Sequence, residues 1–134
     1  MQLFWEMLDG DILKITLDGR LDVDGTNAVD VQLTTLAATK RTAILLDLHR
    51  VDFLASIGIR TLLICAKTAA RRGGTLVLVR PRPMVRAVLD RSGVSSLIPV
   101  YADTETALRA IARAGGERRG AEQDTGDRKS SRRD

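Results

Sequence analysis

Ala43-Ile44-Leu45-Leu46-Asp47-Leu48-His49-Arg50-Val51-Asp52-Phe53-Leu54-Ala55-Ser56-Ile57-Gly58-Ile59-Arg60-Thr61-Leu62-Leu63 is the stretch that decides the fold. It opens on an almost unbroken apolar run, Ala43 to Leu48, which suits a central strand buried on both faces. From about Ser56 the period becomes helical, with Ile59, Leu62, Leu63, Ala66, Ala69 and Ala70 on one stripe. The helix ends in Arg71-Arg72-Gly73-Gly74, which places cations in the last turn and a glycine for the left-handed cap. A buried strand that turns directly into an amphipathic helix is half of a layered α/β unit.

The same alternation extends in both directions. Upstream, Leu3 to Leu8 and Asp11 to Asp18 read as two strands. Leu13, Ile15 and Leu17 point to one side of the second, and Ile12, Lys14, Thr16 and Asp18 to the other. Asp9-Gly10 between them is a hairpin signal, because glycine tolerates positive φ. Gly19-Arg20-Leu21-Asp22 is a loop or strand end. A helix is then expected to start at Gly25-Thr26-Asn27, capped by Thr26 or Asn27, with Val29, Leu33, Leu36 and Ala37 facing inward. Lys40-Arg41 would meet the negative end of its dipole. Downstream, Thr75 to Val79 reads as a buried strand. Pro81-Arg82-Pro83 starts a short helix carrying Val85, Val88 and Leu89, which Ser92-Gly93 stops. Leu97 to Val100 reads as a short strand. Asp103 is the expected cap of a last helix that turns Ala107, Leu108 and Ile111 inward. A hairpin followed by repeated helix–strand units predicts one domain, residues 1–114, with a mixed sheet of four to five strands, about four helices and right-handed crossovers. From Gly115 the apolar periodicity ends, so residues 115–134 are expected to be a disordered charged tail, including the basic run Arg128-Lys129-Ser130-Ser131-Arg132-Arg133.

Composition narrows the class of function. Aromatic residues are 3% of the chain, so the core must be aliphatic, and there is no set of stacking side chains for single-stranded nucleic acid. The net charge of +4 comes from scattered arginines and the tail, which does not make a nucleic-acid footprint. With one cysteine, Cys65, and one histidine, His49, the chain offers neither an internal disulfide nor a cysteine metal cluster, and a reducing cytoplasm is the simplest setting. No apolar run is long enough to span a bilayer, so membrane insertion is not expected. Catalysis is not expected either. Ala55-Ser56-Ile57-Gly58 is no nucleophile elbow, His49 lies seven residues upstream of Ser56, and Gly73-Gly74 precedes a strand instead of opening a phosphate-binding helix. No cofactor is implied, and Cys65 reads as a small core residue.

Ser56 admits two readings. Its hydroxyl can cap the helix that begins there. The same place can hold a phosphate, because free N–H groups and the positive dipole end converge at a helix start. Asp52 reads as a turn residue and His49 as a surface residue at the sheet edge. Gly58 reads as a point of close helix packing or partner approach, since glycine inside a helix is otherwise unfavourable by about 1 kcal/mol.

The segment from Leu46 to Leu63 resembles the signature of STAS-domain anti-sigma factor antagonists, whose turn commonly reads aromatic, apolar, Asp, Ser, Ser or Thr, Gly, then Leu or Ile. Gly19-Arg20-Leu21-Asp22 resembles the family's Gly-Glu-Leu-Asp, Arg72-Gly73-Gly74-Thr75-Leu76 its Gly-Gly-x-Leu, and Val88-Leu89-Asp90-Arg91-Ser92-Gly93-Val94 its short helix and turn. The resemblance runs from about Leu3 to Ile111. It implies a protein-binding regulator that sequesters an anti-sigma factor of the serine-kinase type, with a histidine-kinase-like fold. That kinase would phosphorylate Ser56 to release the regulator, and a PP2C-like phosphatase would restore it. It places Asp22, Ser56, Ile57, Gly58 and Arg60 on the partner face. Ala55 stands where the family has Asp, and Ile57 where it has a second Ser or Thr. The alternative occupation of the same fold is an accessory subunit of a membrane transporter or a ligand-sensing scaffold.

Overall fold

The structure, a computed structural model, describes residues 1–115. Five strands, β1 (Gln2–Leu8), β2 (Ile12–Leu21), β3 (Ala43–Leu54), β4 (Thr75–Val79) and β5 (Val100–Tyr101), lie side by side in chain order. β1 and β2 are antiparallel, joined through Gly10 and Asp11 at φ 84° and 60°. The remaining neighbours are parallel, so each needs a crossover. The crossovers are α1 (Val23–Ala37), α2 (Ser56–Arg71), and α3 (Pro83–Arg91) with the 3-10 turn Val94–Ser96. A fourth helix, α4, covers residues 104–115. The expected α/β class, mixed sheet and helix count all hold. The expected tail, apart from its first residue, lies outside the described residues.

The apolar patterns explain the layers. Leu13, Ile15 and Leu17 of β2 share a face with Ile44, Leu46 and Leu48 of β3 and Leu76 and Leu78 of β4. That face packs on Val29 and Leu33 of α1, Leu62 and Cys65 of α2, and Val85 and Leu89 of α3. On the opposite face Ile12, Ala43, Leu45, Val77 and Val79 receive Ala107 and Ile111 of α4. β3 and β4 are therefore covered on both sides, which is why they read as continuous apolar runs. Asp103 caps α4 as expected, accepting the Thr106 N–H at 2.7 Å.

A single helix covers only part of the second face. Beyond it, Asp47 sits on β3 with 1% of its surface exposed. A buried carboxylate must be paired, and Arg80 pairs it, with Nη2 2.9 Å and Nε 3.2 Å from Oδ2. The His49 N–H donates to Oδ1 at 2.9 Å, and Lys14 Nζ stands 3.9 Å from Oδ2.

Several local expectations need correction. α1 starts at Val23, capped by Asp22 and not by Thr26 or Asn27. Gly25, expected at the helix start, lies in the first turn of α1, where only glycine fits because a Cβ would collide with the Arg20 carbonyl oxygen. Lys40 and Arg41 lie past the end of α1, and Arg41 Nη1 pairs with Asp11 Oδ1 at 3.1 Å. β3 continues to Leu54 because the end of β2 pairs with it, through two register shifts, as far as Leu21↔Leu54. Asp52 is consequently a strand residue and no turn, and exposed His49 stands on the central strand, not at the sheet edge. Ala70 is exposed. The last strand is Val100–Tyr101, because Leu97 ends the 3-10 turn instead.

Candidate functional site

β2 and β3 run parallel and end together at Leu21 and Leu54, so the helices that follow them begin side by side. The Ala55 N–H donates to the Leu21 carbonyl at 3.0 Å and ties the two starts together. At α1, Asp22 Oδ1 accepts the Gly25 N–H at 2.8 Å, and Oδ2 lies 3.3 Å from Arg20 Nε. The backbone hydrogen bond from Gly25, and secondarily Arg20, hold the Asp22 carboxyl below the usual carboxylate range. The Arg20 guanidinium also lies 4.3 Å above the centre of the Phe53 ring.

The start of α2 differs. Its N-cap is Ala55, which has no side-chain acceptor to offer. Ser56 is the first helical residue and exposed, so it does not cap the helix; of its two sequence readings, the capping one is corrected. The first in-helix hydrogen bond runs from the Ile59 N–H to the Ala55 carbonyl at 3.1 Å. The N–H groups of Ser56, Ile57 and Gly58 precede it and have no acceptor within the helix. Gly58 turns inward: a Cβ would stand 2.9 Å from Leu54 Cδ1, 3.0 Å from Leu21 Cβ and 3.1 Å from the Leu21 oxygen. Close packing is the role this geometry displays for it. Ile57 and Arg60 line a notch of about 260 Å³ between α1 and α2, together with Thr26, Asn27, Asp30 and Thr61.

Asp22, Ser56, Ile57 and Arg60 thus gather at the paired helix starts, with Gly58 buried beneath them. Sequence reasoning named Thr26 only as a cap and did not single out Asp30 or Thr61. The signal available for Thr26 and Asp30 was their four-residue spacing, which puts them on one helix face. Asp47 and Arg80 were also missed, although a lone carboxylate in an apolar run demands a partner. Cys65 is buried as expected; burial, with the charge of Asp30 adding to it, pushes its thiol up to about 12. His49 is five residues before the end of β3, about 16 Å away by strand rise, so the one histidine cannot activate Ser56. Among the described residues, no helix is long and apolar enough to cross a membrane.

The chain is similar to known proteins in sequence and in fold. The family model described as STAS domain matches residues 8–107. BtrV of Bordetella bronchiseptica, named as an anti-sigma factor antagonist, is 32% identical over 111 residues, covering 83% of this chain and 95% of BtrV. The crystal structure of an anti-sigma factor antagonist from Mycobacterium paratuberculosis superposes with a TM-score of 0.75 at 23% identity, over 83% of this chain and 93% of that one. The Bacillus cell fate determinant SpoIIAA in its phosphorylated form superposes with a TM-score of 0.62 at 23% identity, over 82% of this chain and 99% of that one. At these identities the two structures speak for the fold, whereas the family match covers nearly the whole described chain, from the hairpin to α4. This chain belongs to the STAS-domain family.

Proposed function

We propose that this protein is an anti-sigma factor antagonist of the cytoplasm, binding its partner at the paired starts of α1 and α2 and released by a phosphate on Ser56. The observation that carries the reading is exposed Ser56 at the first position of a helix whose N-cap leaves its amides open. A phosphate there meets unsatisfied N–H groups and the positive end of the α2 dipole, so the free protein tolerates it. In a closed interface the same phosphate brings a charge of about −1.5 to −2 beside the Asp22 carboxylate, and that charge must be dehydrated. Ala55, the N-cap, makes no side-chain hydrogen bond to these amides, so they are open to a phosphate on Ser56. Asp22, Ile57 and Arg60 form the contact surface, and Gly58 supports it from below.

The partner on this reading is an anti-sigma factor with a histidine-kinase-like fold and serine kinase activity. It transfers the γ-phosphoryl of ATP to Ser56 Oγ and keeps ADP. A PP2C-like phosphatase hydrolyses the ester. The antagonist contributes no catalysis and no cofactor site.

The test is a titration of wild type, Ser56→Ala and Ser56→Asp against the purified anti-sigma factor, with mass spectrometry after incubation with ATP and Mg²⁺. Ser56→Ala should bind like wild type and Ser56→Asp at least tenfold more weakly, since a misplaced interfacial charge costs several kcal/mol. Equal binding of all three, with Ser56 unmodified, would remove the phosphoswitch.

A further inference from the structure

The groove between α1 and α2 holds a group that the phosphoswitch leaves unused. Thr26 is 1% exposed, and its Oγ1 has no hydrogen-bond partner. Two other helical threonines return their proton to a carbonyl one turn back, Thr34 to Asp30 at 2.8 Å and Thr68 to Ile64 at 2.8 Å. Thr26 lines the notch instead, and a buried hydroxyl without a partner is unfavourable until something supplies one.

Asp30 lies one turn further along the same face of α1 and is half-buried. Its Oδ1 accepts the Thr61 hydroxyl at 3.3 Å, which fixes the carboxylate against α2. Among the described residues it takes part in no ion pair, and neither does Arg60 on the facing wall. Two opposite charges line one notch of about 260 Å³ without reaching each other. Arg60 is exposed and can turn to the rim, so the charge fixed in the floor is the negative one.

We infer that the notch receives one basic side chain, an arginine or lysine, from the protein bound at this face, with Asp30 as its counter-ion and Thr26 Oγ1 as an acceptor. The inference rests on the partner-binding reading above. Ile57 and Ile64 on the notch walls suit the aliphatic stem of such a side chain, whose head can stay polar while its methylenes are covered. A guanidinium fits best, because its fork of donors can reach a carboxylate oxygen and a hydroxyl together. An incoming anion would meet the Asp30 carboxylate across a half-dehydrated gap. With the notch filled, Arg60 is left at the rim to meet a carboxylate of the partner.

The test needs no partner protein. The full chain, ¹⁵N-labelled and with methyl groups labelled, is titrated by NMR with butylguanidinium chloride and, separately, with sodium butyrate. Butylguanidinium should give saturable shifts centred on Thr26, Asp30, Ile57 and Thr61, and butyrate should give none there. Asp30→Asn should weaken the cation roughly tenfold and Thr26→Val about threefold, the fold-changes of losing a charged and a neutral hydrogen bond. Thr26→Val should melt at or above the wild-type temperature, since it replaces an unpartnered buried hydroxyl by a methyl group. Saturation by butyrate at these residues would overturn the inference. So would cation shifts spread equally over exposed carboxylates such as Asp9, Asp52 and Glu105, or left unchanged by Asp30→Asn. Any of these results removes the notch while leaving anti-sigma binding, measured separately, to stand or fall by itself.

Discussion

Ala55→Ser tests where α2 begins and what its start lacks. Ala55 already has the extended backbone of an N-cap, φ −97° and ψ 171°, so a serine there needs no rearrangement. At α1, the neighbouring helix start, Asp22 reaches its target amide at 2.8 Å, which shows what a capping side chain achieves in this setting. Supplying an absent cap should gain about 1 kcal/mol. For a domain of this size that raises the melting temperature by roughly 4 °C. Ala55→Asp adds a favourable dipole interaction of about 0.3–1 kcal/mol. It also sets a second carboxylate beside Asp22, since Ala55 and Leu21 are hydrogen-bonded at 3.0 Å. The two effects offset, so Asp should stabilise about as much as Ser. Ser56→Ala removes an exposed hydroxyl that caps nothing and should change stability by less than about 0.5 kcal/mol. Thermal melts of the three variants at neutral pH read all of this. If Ser56→Ala loses about 1 kcal/mol and Ala55→Ser gains nothing, then Ser56 is the cap and the start of α2 has been misplaced by one residue.

Gly58→Ala should destabilise by about 1–2 kcal/mol, because overpacking costs about 1–3 and the better helix propensity returns at most about 1. The tight atoms include Leu21 Cβ and its carbonyl oxygen, which cannot move without the strand; a stabilised variant in urea denaturation would refute the packing argument. Asp47→Ala should cost about 1–3 kcal/mol by the same assay, less than a fully buried pair, because Arg80 is 41% exposed and can turn to water while the His49 N–H loses its acceptor. A loss of 5 kcal/mol or none at all would contradict that geometry. In acid, the Asp22 and Asp103 carboxyls are held low chiefly by backbone N–H groups of Gly25 and Thr106, and Asp90 chiefly by the Ser95 hydroxyl, with Arg86 assisting. A folded value below the unfolded one, about 3.9, means their stabilisation is present above about pH 4 and lost as pH falls through the lowered values. Melting temperatures of wild type and Asp22→Asn/Asp103→Asn, apart near pH 6, should therefore converge as pH falls through the lowered values, and parallel curves would show that the charge on these caps does not contribute.

The amino-acid sequence by itself determined the layers. Alternation in β2, the unbroken apolar runs of β3 and β4, and the helical stripes of Val29 and Leu33, Leu62 and Ala69, and Val85 and Leu89 are local periodicities, and each specifies which face a segment buries. It also placed Ser56 at a strand-to-helix turn and Asp103 at a cap, since both follow from residues a few positions apart. The boundaries moved where a partner distant in sequence decided them. β3 runs past Leu48 to Leu54 because the end of β2 offers it hydrogen bonds. Position 25 in the first turn of α1 must be glycine because the Arg20 carbonyl leaves no room for a side chain. Asp47 is tolerated in the central strand because Arg80, 33 residues later, arrives beside it. The notch of Thr26, Asp30 and Thr61 exists only once α1 and α2 lie together, which the parallel pairing of β2 with β3 brings about. Periodicity reports on one element at a time, and a site assembled from two elements is fixed by the contacts between them.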